Sequence, residues 1–158
     1  MSIAAIDAAR RVCELSGWSI SNLQLQKILY IIHMVYAGRH GGAKFIREPF
    51  EAWDYGPVIP SLYRKARIFG NKPVGDIFTF AKPELLPDDN ALIKEGCDAL
   101  LSETPAQLVA LTHADGGAWA KNYIPNVRGR VIPQADITQE YATRVQSGDL
   151  VDSNARPN

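Results

Sequence analysis

The chain has 158 residues, 17 Lys or Arg balanced by 17 Asp or Glu, and 46% hydrophobic side chains. That length suits one domain with a sizeable core, burying roughly 68–70% of the surface its unfolded chain exposes. Charge neutrality excludes wholesale attraction to nucleic acid or membrane and leaves only local patches to weigh.

The first element is a helix expected over about residues 2–16, where Ile3, Ile6, Ala9 and Cys13 recur at helical spacing before Gly17. Ser21–Gln24 then reads Ser-x-x-Gln, a capping box in which side chains at both ends satisfy orphan amides. The helix it opens, about 22–37, carries Leu25, Ile28, Leu29, Ile32 and Val35 on one stripe and more apolar residues around it. A helix apolar nearly all round belongs inside the domain. Gly38 is the expected stop.

"KFI" (44–46) and "FEAWDY" (50–55) predict a small hairpin, with Gly56 and Pro57 ending its second strand. Pro57 or Pro60 suits a first helical turn. Leu62, Tyr63, Ala66 and Phe69 give the next helix its apolar face, with Arg64, Lys65 and Arg67 outward and Gly70 as the stop. Trp53 and Tyr55 are expected to lock the hairpin–helix junction against the central helix.

A long connection follows. Asp88 or Asp89 is the expected cap of a helix carrying Ile93, Cys97 and Leu100, which Gly96 weakens by ~1 kcal/mol relative to Ala. "TPAQ" is a second capping box, for a helix over about 105–112. "AWAKNY" supplies one or two further turns. "DITQ" is a third cap-like pattern, for a helix over about 137–146. The sum is a mainly α, compact orthogonal domain of six or seven helices with one small β-hairpin, over residues 1–148. Residues 149–158 read as a flexible tail.

Chemistry is sparse. Cys13, His33, His40, Cys97 and His113 show no metal-ligand spacing. No nucleophile elbow, dinucleotide fingerprint or phosphate loop is present. Cys13 and Cys97 are too few and too separated for a disulfide framework and read as buried, reduced thiols. His33, placed on the polar side of its helix, reads first as a structural histidine, and His113 as a helix-end residue. An undetected hydrolase using either is the weakest reading. "MSIAAIDAARR" lacks the apolar core of a signal peptide. "ILYIIHMVYAG" is shorter than the ~18 residues of a membrane span. The expectation is a cytoplasmic protein without cofactor or metal. Two surfaces invite a partner. Arg64, Lys65, Arg67 and Lys72 form a basic face over 64–72, which Arg128 and Arg130 could join, and which would suit a nucleic-acid-binding regulator. Trp53, Tyr55, Tyr63 and Arg64 bring together the residue types that dominate protein interfaces.

Three blocks then carry a resemblance. "NLQLQKILYIIH" (22–33), "EPFEAWDYGPVIPSLYRKARIFG" (48–70) and "LTHADGGAWAKNY" (111–123) resemble the Panacea antitoxin domain, the SocA-like family also known as phage-associated GepA-like proteins. The resemblance rests on Leu25, Gln26, Lys27, Leu29 and Tyr30. It continues through Phe50, Glu51, Ala52, Trp53, Tyr55, Gly56, Pro57, Pro60 and Tyr63 to Thr112, His113 and Trp119. Ile31, Ile32 and Met34 are bulkier than the family's usual residues there. The resemblance implies a non-enzymatic bacterial antitoxin that binds a cognate protein toxin. In the SocA-type branch it implies a proteolytic adaptor that carries the toxin to the ClpXP protease. It supplies no catalytic residue.

Overall fold

A computed structural model describes residues 2–148; the stretch expected to form a tail, 149–158, lies outside them. It is mainly helical, with seven α-helices and a two-stranded antiparallel hairpin. In chain order these are α1 (Ala5–Leu15), α2 (Asn22–Arg39), β1 (Glu51–Trp53), β2 (Gly56–Val58), α3 (Pro60–Ala66), α4 (Pro87–Leu100), α5 (Pro105–Thr112), α6 (Ala118–Asn122) and α7 (Gln134–Ser147). A single 3-10 turn, Arg67–Phe69, extends α3 before Gly70.

The axis is α2. Its capping box forms as the sequence reads, with the Ser21 hydroxyl accepting from the Gln24 amide and the Gln24 side chain returning to the Ser21 amide. From there α1, α3, α4, α5, α7 and β2 all pack on it. Leu25, Ile28, Leu29, Tyr30 and Ile32 are fully buried, at the centre of one hydrophobic cluster that takes in residues from every layer. Burying each such side chain favours folding by about 1.5–3 kcal/mol. The second capping box, Thr104 with Gln107, starts α5 in the same way. Among the described residues no helix is long and apolar enough to cross a membrane.

Several expectations are corrected. Gly38 does not stop α2, which runs on to Arg39. A Cβ at Gly38 would sit 1.9 Å from Tyr141 Cδ1, so the glycine is where α7 crosses the axis. Gly96 plays the same part on α4, where a Cβ would lie 2.4 Å from Ile32 Cγ1. Its helix-propensity cost is offset by that close approach.

The hairpin lies one segment further along than the aromatics suggested. Glu51 pairs with Val58 and Trp53 with Gly56, around a turn at Asp54 and Tyr55. Gly56 and Pro57 therefore belong to β2 instead of ending a strand. Phe45 and Ile46 make a single parallel bridge to Ile3. That bridge keeps Ile3 extended, so α1 begins only at Ala5, whose amide donates to Glu48 Oε1. Neither Asp88 nor Asp89 caps α4. Leu86 holds the cap position, Pro87 opens the helix, and both aspartates lie in its first turn, where the helix dipole favours them. Likewise α7 starts before "DITQ", with Pro133 at the cap position and Asp136 in the first turn.

Candidate partner-binding face

The three blocks, far apart in sequence, meet at the junction of α2, the hairpin and the α5–α6 corner. Because Ser21 fixes where α2 begins, Gln26 and Lys27 face the hairpin. Gln26 Oε1 accepts from the Ile59 amide at 2.8 Å, and Gln26 Nε2 donates to Asn22 Oδ1 at 3.2 Å. Lys27, only 1% exposed, donates from Nζ to the Pro57 carbonyl at 2.9 Å. Gly56 has φ +115°, and a Cβ there would lie 2.9 Å from both Lys27 Cε and Thr112 Oγ1. Glycine is needed at that point for its backbone and for the space. Pro60 follows as the first residue of α3.

On the other side, Trp119 Nε1 donates to the Trp53 carbonyl at 2.7 Å. His113, the C-cap of α5, stacks flat on Trp119 at 3.7 Å between ring centroids. Trp119 stacks in turn on Tyr123, whose hydroxyl donates to Asp54 Oδ1 at 2.5 Å. Burial lowers the His113 pKa, and the nearby Lys27 charge adds to that. Phe50 packs on Tyr30 at 5.4 Å and on His33 at 5.1 Å. Glu51 accepts from Trp53 Nε1 at 3.0 Å. Leu25 lies in the core.

His33 is buried, correcting its placement on a polar side, and it is structural as read. Its Nδ1 accepts from the Ile46 amide at 3.1 Å, which leaves Nε2 to donate to Gln134 Oε1 at 2.9 Å. Burial lowers its pKa and keeps the ring neutral. Cys13 and Cys97 are buried free thiols, pushed up by burial to about 12 and about 11. Neither offers a thiolate nucleophile at neutral pH.

What the junction leaves outward is a cleft of about 920 Å³ beside the hairpin. Lys27 lies at its inner wall, with Trp53, Tyr55, Tyr63, Arg67 and Arg128 around it. Trp53 and Tyr63 meet edge to face at 4.8 Å, and the Arg128 guanidinium sits 5.1 Å from the Trp53 ring. Arg64, Lys65 and Arg67 are exposed, as read. Tyr55 is not a lock on α2: it stands 69% exposed at the hairpin tip. Trp119 supplies the anchor that was assigned to it.

Sequence reasoning allowed Arg128 to join the basic residues but carried no signal of its proximity to Trp53. What it missed is a buried cluster around Glu140. Its Oε1 accepts from the Tyr30 hydroxyl at 2.7 Å and from the Ala118 amide at 2.9 Å. Its Oε2 accepts from Arg144 Nε at 2.8 Å. Arg144 also donates to the Leu111 carbonyl. The i, i+4 spacing of Glu140 and Arg144 was the available signal. Burial and the Glu140 charge hold the Tyr30 phenol well above its ordinary pKa, so it stays a donor.

The profile of the "Antitoxin SocA-like, Panacea domain" family matches residues 25–120, the span holding nearly all of this junction. The chain belongs to that family. Among curated proteins, Antitoxin SocA of Caulobacter vibrioides (strain NA1000 / CB15N) is 36% identical over 113 residues. The match spans 63% of this chain and 58% of the Caulobacter protein's length. No solved structure matches.

Proposed function

We propose that this protein is an antitoxin that binds a protein toxin encoded beside it, neutralises it by that contact, and delivers it to the ClpXP protease. It acts in the cytoplasm by binding and not by catalysis, with residues 1–148 as the binding unit. Family membership over residues 25–120 carries the reading. The geometry is in keeping with it. Both histidines weighed as catalytic are engaged in packing, His33 on Phe50 and His113 on Trp119. The exposed aromatic and arginine side chains beside the hairpin are the types that dominate protein–protein affinity.

The test is co-expression with the product of the adjacent gene, following growth and co-purification. Rescue of a toxic neighbour together with a stable complex is the expected result. A harmless neighbour that forms no complex would remove the reading. Repeating the rescue in cells lacking ClpXP separates delivery from occlusion: delivery predicts that rescue is lost and the toxin accumulates.

A further inference from the structure

The cleft beside the hairpin is lined by three cations, Lys27, Arg67 and Arg128, and by one carboxylate, Asp54. Asp54 is engaged by the Tyr123 hydroxyl. No carboxylate pairs with Lys27 among the described residues, and its one hydrogen bond goes to a neutral carbonyl. A buried cation without a counter-ion is costly, and the cost shows as a Lys27 pKa lowered by burial to about 7; a ligand carboxylate would supply the missing charge and hold it ionised. The walls are Trp53 and Tyr63, and the volume, about 920 Å³, admits several side chains of a partner.

We propose that this cleft seats an acidic peptide segment of a protein partner, with Arg67 and Arg128 pairing its carboxylates and the Trp53–Tyr63 wall receiving an adjoining apolar side chain. The segment's assignment to a toxin rests on the antitoxin reading; the chemistry of the cleft does not. Arg128, already held against the Trp53 ring, loses little freedom on pairing. Lys27 lies beneath and contributes positive field, which a low-dielectric wall transmits better than water does. Nucleic acid fits less well. Stacking bases need open ring faces, and the Arg128 guanidinium already lies over the Trp53 ring.

A carboxylate seated above Lys27 favours its charged form, so binding takes up a proton and weakens as pH rises above 7. The other groups facing this point are His113 from the end of α5, Asp54 and Tyr55 from the turn, Tyr63 and Arg67 from α3, and Arg128. His113, with a lowered pKa, titrates on the acid side of that window.

The experiment uses the full chain, a short fluorescent peptide alternating Glu and Leu, a matching Lys–Leu peptide, a labelled DNA duplex, and the neighbouring toxin. The acidic peptide and the toxin should each lose at least about tenfold in affinity to the Arg67→Glu/Arg128→Glu variant. Lys94→Glu, on the exposed side of α4, should change neither. Lys27→Met should flatten the pH dependence. Unfolding midpoints confirm that the variants fold. If the toxin binds the double variant undiminished, the cleft assignment is overturned while the antitoxin reading stands. If only the duplex binds through these arginines, the assignment is likewise overturned. If the acidic peptide binds through them and the toxin never binds, the cleft stands and the antitoxin reading falls.

Discussion

Two buried charges packed against α2 have been treated in opposite ways. Glu140 is closed in by Arg144, Tyr30 and the amide that opens α6, so both carboxylate oxygens are satisfied. Lys27 is just as buried but has only the Pro57 carbonyl. The first arrangement ties α2, α6 and α7 together and has nothing left to offer. The second holds the hairpin in place and leaves a lysine, its pKa lowered by burial to about 7, beside an open cleft. A fully partnered buried group serves the fold, whereas a perturbed one beside a cleft is a candidate place for a ligand, and the proposed acidic segment would complete Lys27.

The largest effect is expected at Glu140. Glu140→Ala strands a buried guanidinium, a phenol and a helix-opening amide, and should cost about 3–5 kcal/mol in urea unfolding. Gly56→Ala comes next, at about 1–3 kcal/mol, since the new methyl meets Lys27 and Thr112 with φ at +115°. Co-purification of the proposed toxin should fall with it, because the hairpin frames the cleft.

Lys27→Met should change stability at pH 7 by only about 1 kcal/mol, the lost hydrogen bond being offset by relief from burying a cation. Its sharper signature is pH. The folded pKa of Lys27, lowered to about 7 by burial, lies below its ordinary value of 10.5, so the unfolded chain binds more protons between them. Wild-type stability should therefore rise as pH climbs from about 7. The trend turns near 9.0, where unfolded Cys13 and Cys97 ionise while the folded thiols resist. Lys27→Met should remove the rise. Smallest of all, Arg67→Ala and Arg128→Ala should change the unfolding free energy by no more than about 0.5 kcal/mol while weakening capture of the proposed toxin.

What could be read in advance follows from the range of the interaction involved. Ser21–Gln24 and Thr104–Gln107 are local pairs whose chemistry is complete within four residues, and both form. The apolar stripe of α2 needs no partner to be recognised. Gly38 misled because a glycine ending a helix and a glycine admitting a crossing helix look alike until Tyr141 is placed against it. The hairpin slipped for a related reason. Gly56-Pro57 resembles a strand terminator, yet proline is tolerated in a two-stranded ribbon, and the turn was the less conspicuous Asp54-Tyr55. The site behaved similarly. Lys27, Gly56, Thr112 and Trp119 were legible as members of three blocks, but their convergence was not. Tyr55 was given the anchoring part because it neighbours Trp53 in sequence; in space that part belongs to Trp119, 66 residues further on.

The most direct measurement is growth of cells carrying the toxic neighbour with either the wild-type protein or its Arg67→Glu/Arg128→Glu variant, at matched soluble levels. The expected result is a variant as soluble and as stable as wild type that no longer rescues growth. Full rescue by that variant would contradict the claim that the cleft is where this protein meets its partner.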